Sequence, residues 1–454
     1  MPNHALALAG VLAAVLLPAA PARSDTTAFV NVNVVPMHTE TVLPAQTVIV
    51  IGGRIAEVGA AADVPVPDGA TRIDGSDRYL MPGLAEMHAH VPPAGADSLE
   101  RVLNLYVANG VTLARGMLGE PGHLVLRQQL QDGAVLGPRL LTSGPSFSGN
   151  SVSGPAQARD MVREQRAAGY DFLKIHPGLT AEEFEAIAAA AAEAGIPFAG
   201  HVPAAVGLRR ALSLGIATVD HLDGYLQALV PATDGPPGGV AGADEGFFGL
   251  YLADAADTHR IDAIVAATRK AGTWNVPTQS LFVHWLSADS PDDMRAWPEM
   301  QYMPAATVDQ WAAAKAATTG EPGYSVELVD RAIDLRRRII KALHDADAGL
   351  LLGSDAPQVF NVPGFSIHRE LAYMVDAGLT PYEALQAGTV APARFFGKEA
   401  AWGTVEAGRE ADLVLLDANP LADISATREI RGVMVRGRWI PREEIAAMLA
   451  ALAE

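Results

Sequence analysis

Six residues of this chain could do chemistry and stand at comparable places. They are His88 and His90 in GLAEMHAH, Lys174 in DFLKI, His201 after PFAG, His221 after TVD, and Asp355 after LLGS. Each ends, or lies within, a short run of strand-like composition. His88 and His90 are two apart, so on a strand both imidazoles point to one side. Imidazole and carboxylate donors suit a divalent cation. The sequence has no cysteine, which excludes disulfides, thiolate metal sites and Cys nucleophiles. Lys174 lies between Leu173 and Ile175 in what reads as a buried parallel strand, where an ammonium group is costly unless paired or chemically altered. Asp171 could be such a partner. Singly, a strand-end histidine is most simply a packing or capping residue. The signal is six such residues at the same end of successive strands.

The elements that must hold them alternate strand and helix. After the strand DFLKI, Thr180 with Glu183 three residues on reads as a capping box, and the Ala-rich helix is expected to stop at Gly195. The strand IPFAG, a helix near 204–214, a stop at Gly215 and a strand over 216–220 follow. Such alternation implies parallel strands with right-handed crossovers. Further strands are predicted at 83–87, 111–117, 139–143, 275–279 and 350–354. The count reaches eight, the number that closes a (β/α)8 TIM barrel, whose active sites form at the C-terminal strand ends.

Outside the barrel, at about 82–400, both termini carry short strands. Gly52-Gly53 marks a hairpin in TVIVIGGRIAEV, and ADLVLL and IRGVMVRGRWI answer it near the C-terminus. Neither end has enough apolar surface to fold alone, so residues 23–81 and 401–454 are expected to build one small β-domain together. A long insertion, about 226–347, contains a Gly/Pro-rich loop and Trp285, Trp297, Tyr302, Trp311 and Tyr324; it reads either as a lid or substrate loop or as a contact between subunits of a homo-oligomer.

Charge and composition narrow the partners. With 33 Lys and Arg against 52 Asp and Glu, the net charge is −19, which argues against a nucleic-acid surface. Only 19% of residues are charged and 49% are hydrophobic, which excludes wholesale disorder. The apolar run Ala5–Leu17 is shorter than the roughly 20 residues a membrane-spanning helix needs. With Ala20-Pro21-Ala22 after it, residues 1–22 read as a signal peptide cut after Ala22, and the protein as periplasmic or secreted, with no membrane span.

The motifs form a set. Pro82-Gly83-Leu84 with His88-Ala89-His90, DFLKI, Gly200-His201, Asp220-His221 and Gly353-Ser354-Asp355 combine with two tail stretches, GFSIHRELAYMVDAGLTPYEALQAGTVAPARFFG and GREADLVLLDANPLADI. Together they resemble the amidohydrolase superfamily, in its prolidase-like and imidazolonepropionase-related branch. The resemblance implies a metal-bearing (β/α)8 barrel with a small β-sandwich formed from both termini. It implies that His88, His90 and Asp355 hold one divalent ion and His201 and His221 another, with Lys174 between them as a CO2-derived carbamate (N6-carboxylysine). Zn2+ fits these donors, with Mn2+ and Co2+ as alternatives. Asp355 would act as general base and then acid while a metal-held hydroxide attacks a small amide, dipeptide-like or cyclic amide substrate. The same site could serve ester, lactone or organophosphate hydrolysis, and a barrel that had lost catalysis is a further alternative.

Other candidates are softer. Tyr225 matches a position where relatives place a substrate-contacting Tyr, although core packing would look the same. Arg115 in TLARGM could bind an anion or pair structurally. His176 points to the same side as Lys174, and His284 and His368 read as supporting residues. Relatives acting as exopeptidases often carry Gly-Gly-His after the third strand, where this chain has Ser146–Ser153 without a histidine, so exopeptidase specificity is not implied.

Overall fold

The two ends of the chain meet in one sheet. The computed structural model describes residues 26–231 and 245–453; the expected signal peptide and most of the Gly/Pro-rich loop lie outside them. Strands β1 (Thr26–Val34), β2 (Leu43–Ile51), β3 (Arg54–Ala60), β4 (Thr71–Asp74) and β5 (Tyr79–Pro82) come from the N-terminal side. The next seven are β6 (Leu84–Ala89), β7 (Val111–Gly116), β8 (Arg139–Thr142), β9 (Leu173–Ile175), β10 (Phe198–Gly200), β11 (Thr218–Asp220) and β12 (Trp274–Val276). Three more, β13 (Leu413–Leu416), β14 (Ile430–Val435) and β15 (Arg438–Pro441), come from the C-terminal side. The terminal strands form a single eight-stranded sheet, ordered β15-β14-β13-β5-β1-β2-β3, with β4 also on β1. Antiparallel pairing of Leu80 with Leu415 joins the two ends. The hairpin between β2 and β3 turns through Gly52 and Gly53, both at positive φ, as a two-residue turn of this kind requires. A cluster including Phe29, Val48, Leu80, Leu413 and Met434 packs this sheet.

The middle of the chain is α/β. β6, β7 and β8 pair in parallel, as do β9 to β12. Single parallel bridges connect the groups, Ser143 with Phe172 and Asn275 with Leu350, while Ala89 bridges to Ala356. The expected eighth strand is not a regular ladder. Leu352 N donates to Ala387 O on a neighbouring helix, and Ser354 N donates to the Glu86 carboxylate. Leu351 N still donates to Asn275 O and Leu352 O accepts from Met87 N, but with these donors turned away only isolated bridges remain at Leu350 and Ala356.

Local signals hold where they rest on local chemistry. The helix Ala181–Ala194 has the Thr180–Glu183 capping box with both bonds formed, and it ends at Gly195 with φ +63°. The helix expected over 204–214 is shorter, Leu208–Ser213, because Val206 N and Gly207 N turn back onto Pro203 O before it can start. Strand β9 begins at Leu173 rather than Asp171, whose carboxylate instead takes Thr142 N and the Arg127 guanidinium.

The insertion has a packed core of its own. Its aromatic residues largely pack within the chain: Trp311 joins Met294, Met300, Met303 and Phe360 in one cluster, with Trp285, Trp297 and Tyr302 against it. Tyr302 stacks on Phe365, and Tyr324 donates to Leu286 O. Among the described residues, no helix is long and apolar enough to cross a membrane.

Candidate metal centre

The strand ends bring the six residues together. β6 carries His88, with His90 just beyond it; β9 carries Lys174; His201 and His221 follow β10 and β11; Asp355 follows the 350–354 segment. Ligand atoms of His88, His221 and Asp355 all lie within 4.8 Å of one another. Asp355 Oδ1 is 2.8 Å from His90 Nε2 and 3.6 Å from His88 Nε2, and Oδ2 is 3.7 Å from His221 Nδ1. The His201 ring lies 4.5 Å from the His221 ring, and Lys174 Nζ lies 3.4 Å from His88 Nε2. His221 and Asp355 have left-handed backbones, φ +62° and +64°, an uncommon conformation outside glycine that clusters at functional sites.

A second set of side chains fixes the rings. Asp220 Oδ2 lies 2.8 Å from His88 Nδ1, Asp223 Oδ2 lies 2.7 Å from His201 Nδ1, and Thr278 Oγ1 lies 2.9 Å from His221 Nδ1. A carboxylate or hydroxyl on one ring nitrogen orients the ring and leaves the other nitrogen for a cation. Beneath them Arg115 donates to both Asp220 oxygens and to Met87 O. Burial pushes the Asp220 carboxyl up, but Arg115 and Lys174 outweigh it and hold it below its usual range. Arg115 is therefore a structural partner rather than an anion site. Arg115→Met removes the guanidinium from the buried Asp220 carboxylate, and is expected to cost about 3–5 kcal/mol, read from urea unfolding.

The loop ends are held in the same way. Glu86, fully buried, accepts from His88 N and Ser354 N, tying β6 to the segment that carries Asp355; burial pushes its carboxyl up to about 8. Arg336 donates to His221 O and Pro277 O, while Glu370 accepts from Gln279 N and Ser280 N on either side of its two oxygens.

Lys174 is wholly buried. Asp171, one carboxylate that could have made it an ordinary ion pair, is bonded to Arg127 instead, and the carboxylates whose charge acts on the ammonium are Asp220, Asp355 and Asp223. Burial pulls the Lys174 ammonium down to about 8, so a neutral amine is accessible near neutral pH. Gly200, at φ +122°, makes its space: a Cβ there would lie 2.9 Å from Lys174 Cδ and 2.6 Å from Ile175 O.

Tyr225 is not brought to this cluster. It is buried, and its hydroxyl is bonded to Asn275 Oδ1 at 2.8 Å and to Thr268 Oγ1 at 2.9 Å, filling the gap between β12 and the helix Ile261–Ala271. His176 does reach the rim: its ring is 5.3 Å from that of His201, and burial with Lys174 nearby pulls its pKa down to about 3. His284 packs against Trp297, and His368 bonds Thr427, so neither joins the centre. Asp220, Asp223 and Thr278 were not singled out from sequence as ring partners. The alternation Thr218-Val219-Asp220 in a buried strand was the available signal, because two polar residues two apart face one side.

The donor set fits divalent cations. Four imidazoles, a carboxylate and a buried amine converge without sulfur, and His221 Nε2 is buried without a hydrogen-bond partner. The profile of the amidohydrolase family matches residues 79–245 and 248–440, and the chain belongs to that family. Imidazolonepropionase of Caulobacter vibrioides is 27% identical over 395 residues, covering 82% of this chain and 88% of the relative. Adenine deaminase 3 of Rhizobium meliloti is 23% identical over 425 residues, covering 90% of this chain, which spans 57% of that relative's length. The bottromycin amidohydrolase structure is similar at a TM-score of 0.70 and 24% identity, covering 95% of this chain and 91% of that one.

Proposed function

We propose that this protein is a metal-dependent hydrolase that cleaves a C–N bond in a small amide, dipeptide-like or cyclic amide. The observation that carries the reading is the convergence of His88, His90, His201, His221 and Asp355 around the buried Lys174. His88, His90 and Asp355 would hold one divalent ion, His201 and His221 a second, and Lys174, as a carbamate, would lie between them. Such ions, Zn2+ foremost, supply a hydroxide near neutral pH and polarise a carbonyl. The chain's own residues do the rest. Asp220, Asp223 and Thr278 keep the rings in register. Asp355 takes the proton of the nucleophile and returns it to the leaving nitrogen, so an amine departs with its proton and a carboxylate remains.

The same proposal covers the frame. The parallel groups β6–β8 and β9–β12, with residues 350–356, form a closed eight-stranded barrel over about 82–400. The sheet from 23–81 and 401–454 folds over the Phe29–Met434 cluster as the terminal sandwich. Residues 1–22 direct export, for which N-terminal sequencing of the exported protein should begin at Arg23.

A hydrolysis screen tests the activity. Zinc-loaded protein is expected to turn over N-acyl amino acids, dipeptides or cyclic amides faster than matched esters, and chelation is expected to abolish turnover. Ester cleavage without amide cleavage would sink the C–N reading.

A further inference from the structure

We propose that Phe247, Phe248 and Trp285 form a subsite for a large apolar group of the substrate, preferentially an aromatic side chain next to the scissile bond. The proposal rests on the reading of the centre as a C–N hydrolase and adds the substrate class. The Phe248 ring lies 5.4 Å from the ring of His221, at an interplanar angle of 30°. The aromatic surface continues from there, with Phe247 4.2 Å from Phe248 and Trp285 4.4 Å from Phe247. All three are half-buried, whereas Phe282 behind them is buried and has the Arg336 guanidinium 4.4 Å from its ring.

Backbone conformation points the same way. Phe248 has φ +53° and ψ 29°, a left-handed conformation that costs energy for a bulky residue, and Gly249 follows at φ +77°. The chain bends here to lay a phenyl ring beside a histidine of the centre. Trp285 is anchored by its polar edge, since Nε1 donates to Thr318 Oγ1 at 3.0 Å, and this leaves the ring as apolar surface. Aromatic area half-exposed beside a polar centre gains most from an apolar occupant, the usual composition of a small-molecule site. The three side chains offer no charge to a charged group.

The test is a matched pair, N-acetyl-L-phenylalanine and N-acetyl-L-alanine, with the zinc-loaded protein. The wild type is expected to prefer the phenylalanyl substrate by about tenfold or more in kcat/KM, mainly through KM. Phe248→Gly deletes the ring and suits the left-handed backbone, so it tests recognition without threatening the fold. It should lose about ten times more on the phenylalanyl substrate than on the alanyl one. Equal losses on both, or no preference in the wild type, overturn the subsite. If neither amide is cleaved, the C–N reading is decided by the dipeptides and cyclic amides of the screen, and calorimetry with the same two compounds still decides the subsite. Tighter phenylalanyl binding that Phe248→Gly removes upholds it; equal binding overturns it.

Discussion

Asp355→Asn is expected to lower kcat by about 10²- to 10⁴-fold, the usual contribution of a positioned general acid–base. Asn matches the carboxylate in size and can still meet His90 Nε2, which lies 2.8 Å from Asp355 Oδ1. It cannot take a proton from the nucleophile or return one to a leaving nitrogen. The unfolding midpoint should therefore stay within the range of an ordinary conservative substitution while turnover collapses. Metal content measured on the same sample separates loss of a ligand from loss of the proton carrier. Near-wild-type rates would remove Asp355 from the chemistry.

Lys174→Ala is expected to be the most damaging change. It removes the side chain that lies against His88 and whose space is set by Gly200. Turnover should fall to background and the bound metal should fall with it. Because the lost group is proposed to act as a carboxylate, a short carboxylic acid supplied with metal should restore part of the rate. Carbamate formation needs the neutral amine, which Lys174 reaches readily with its pKa near 8. At a fixed concentration of dissolved CO2, activation of metal-free protein by metal should accordingly quicken as pH rises through 7 to 9. A variant that kept both its metal and its rate would refute the carbamate.

The readable part of this protein was what neighbouring residues determine. The Thr180 capping box, the αL stop at Gly195 and the Gly52-Gly53 turn rest on short-range chemistry, and each is present. The six cluster residues were legible because a parallel β/α alternation places strand ends together. What joins one strand to another across the interior was not. Asp220 reaches His88 and Arg115, both on other strands, and nothing adjacent to it announces either contact. Tyr225 shows the converse: position after a strand does not say which way a ring leaves, and its hydroxyl bonds Asn275 and Thr268. The 350–354 segment looked like a strand by composition, yet Glu86 and Ala387 took two of its donors, Ser354 N and Leu352 N. In the insertion, aromatic content alone could not separate packing within the chain from contact outside it.

The pairing of β5 with β13 has a consequence for synthesis. Leu80 leaves the ribosome long before Leu415, its partner in the sheet. At about 5–20 residues per second, the edge of β5 waits on the order of tens of seconds for the segment that covers it. Until then the nascent chain presents an unpaired apolar edge, so early termination anywhere before β13 should yield aggregates rather than a smaller working enzyme.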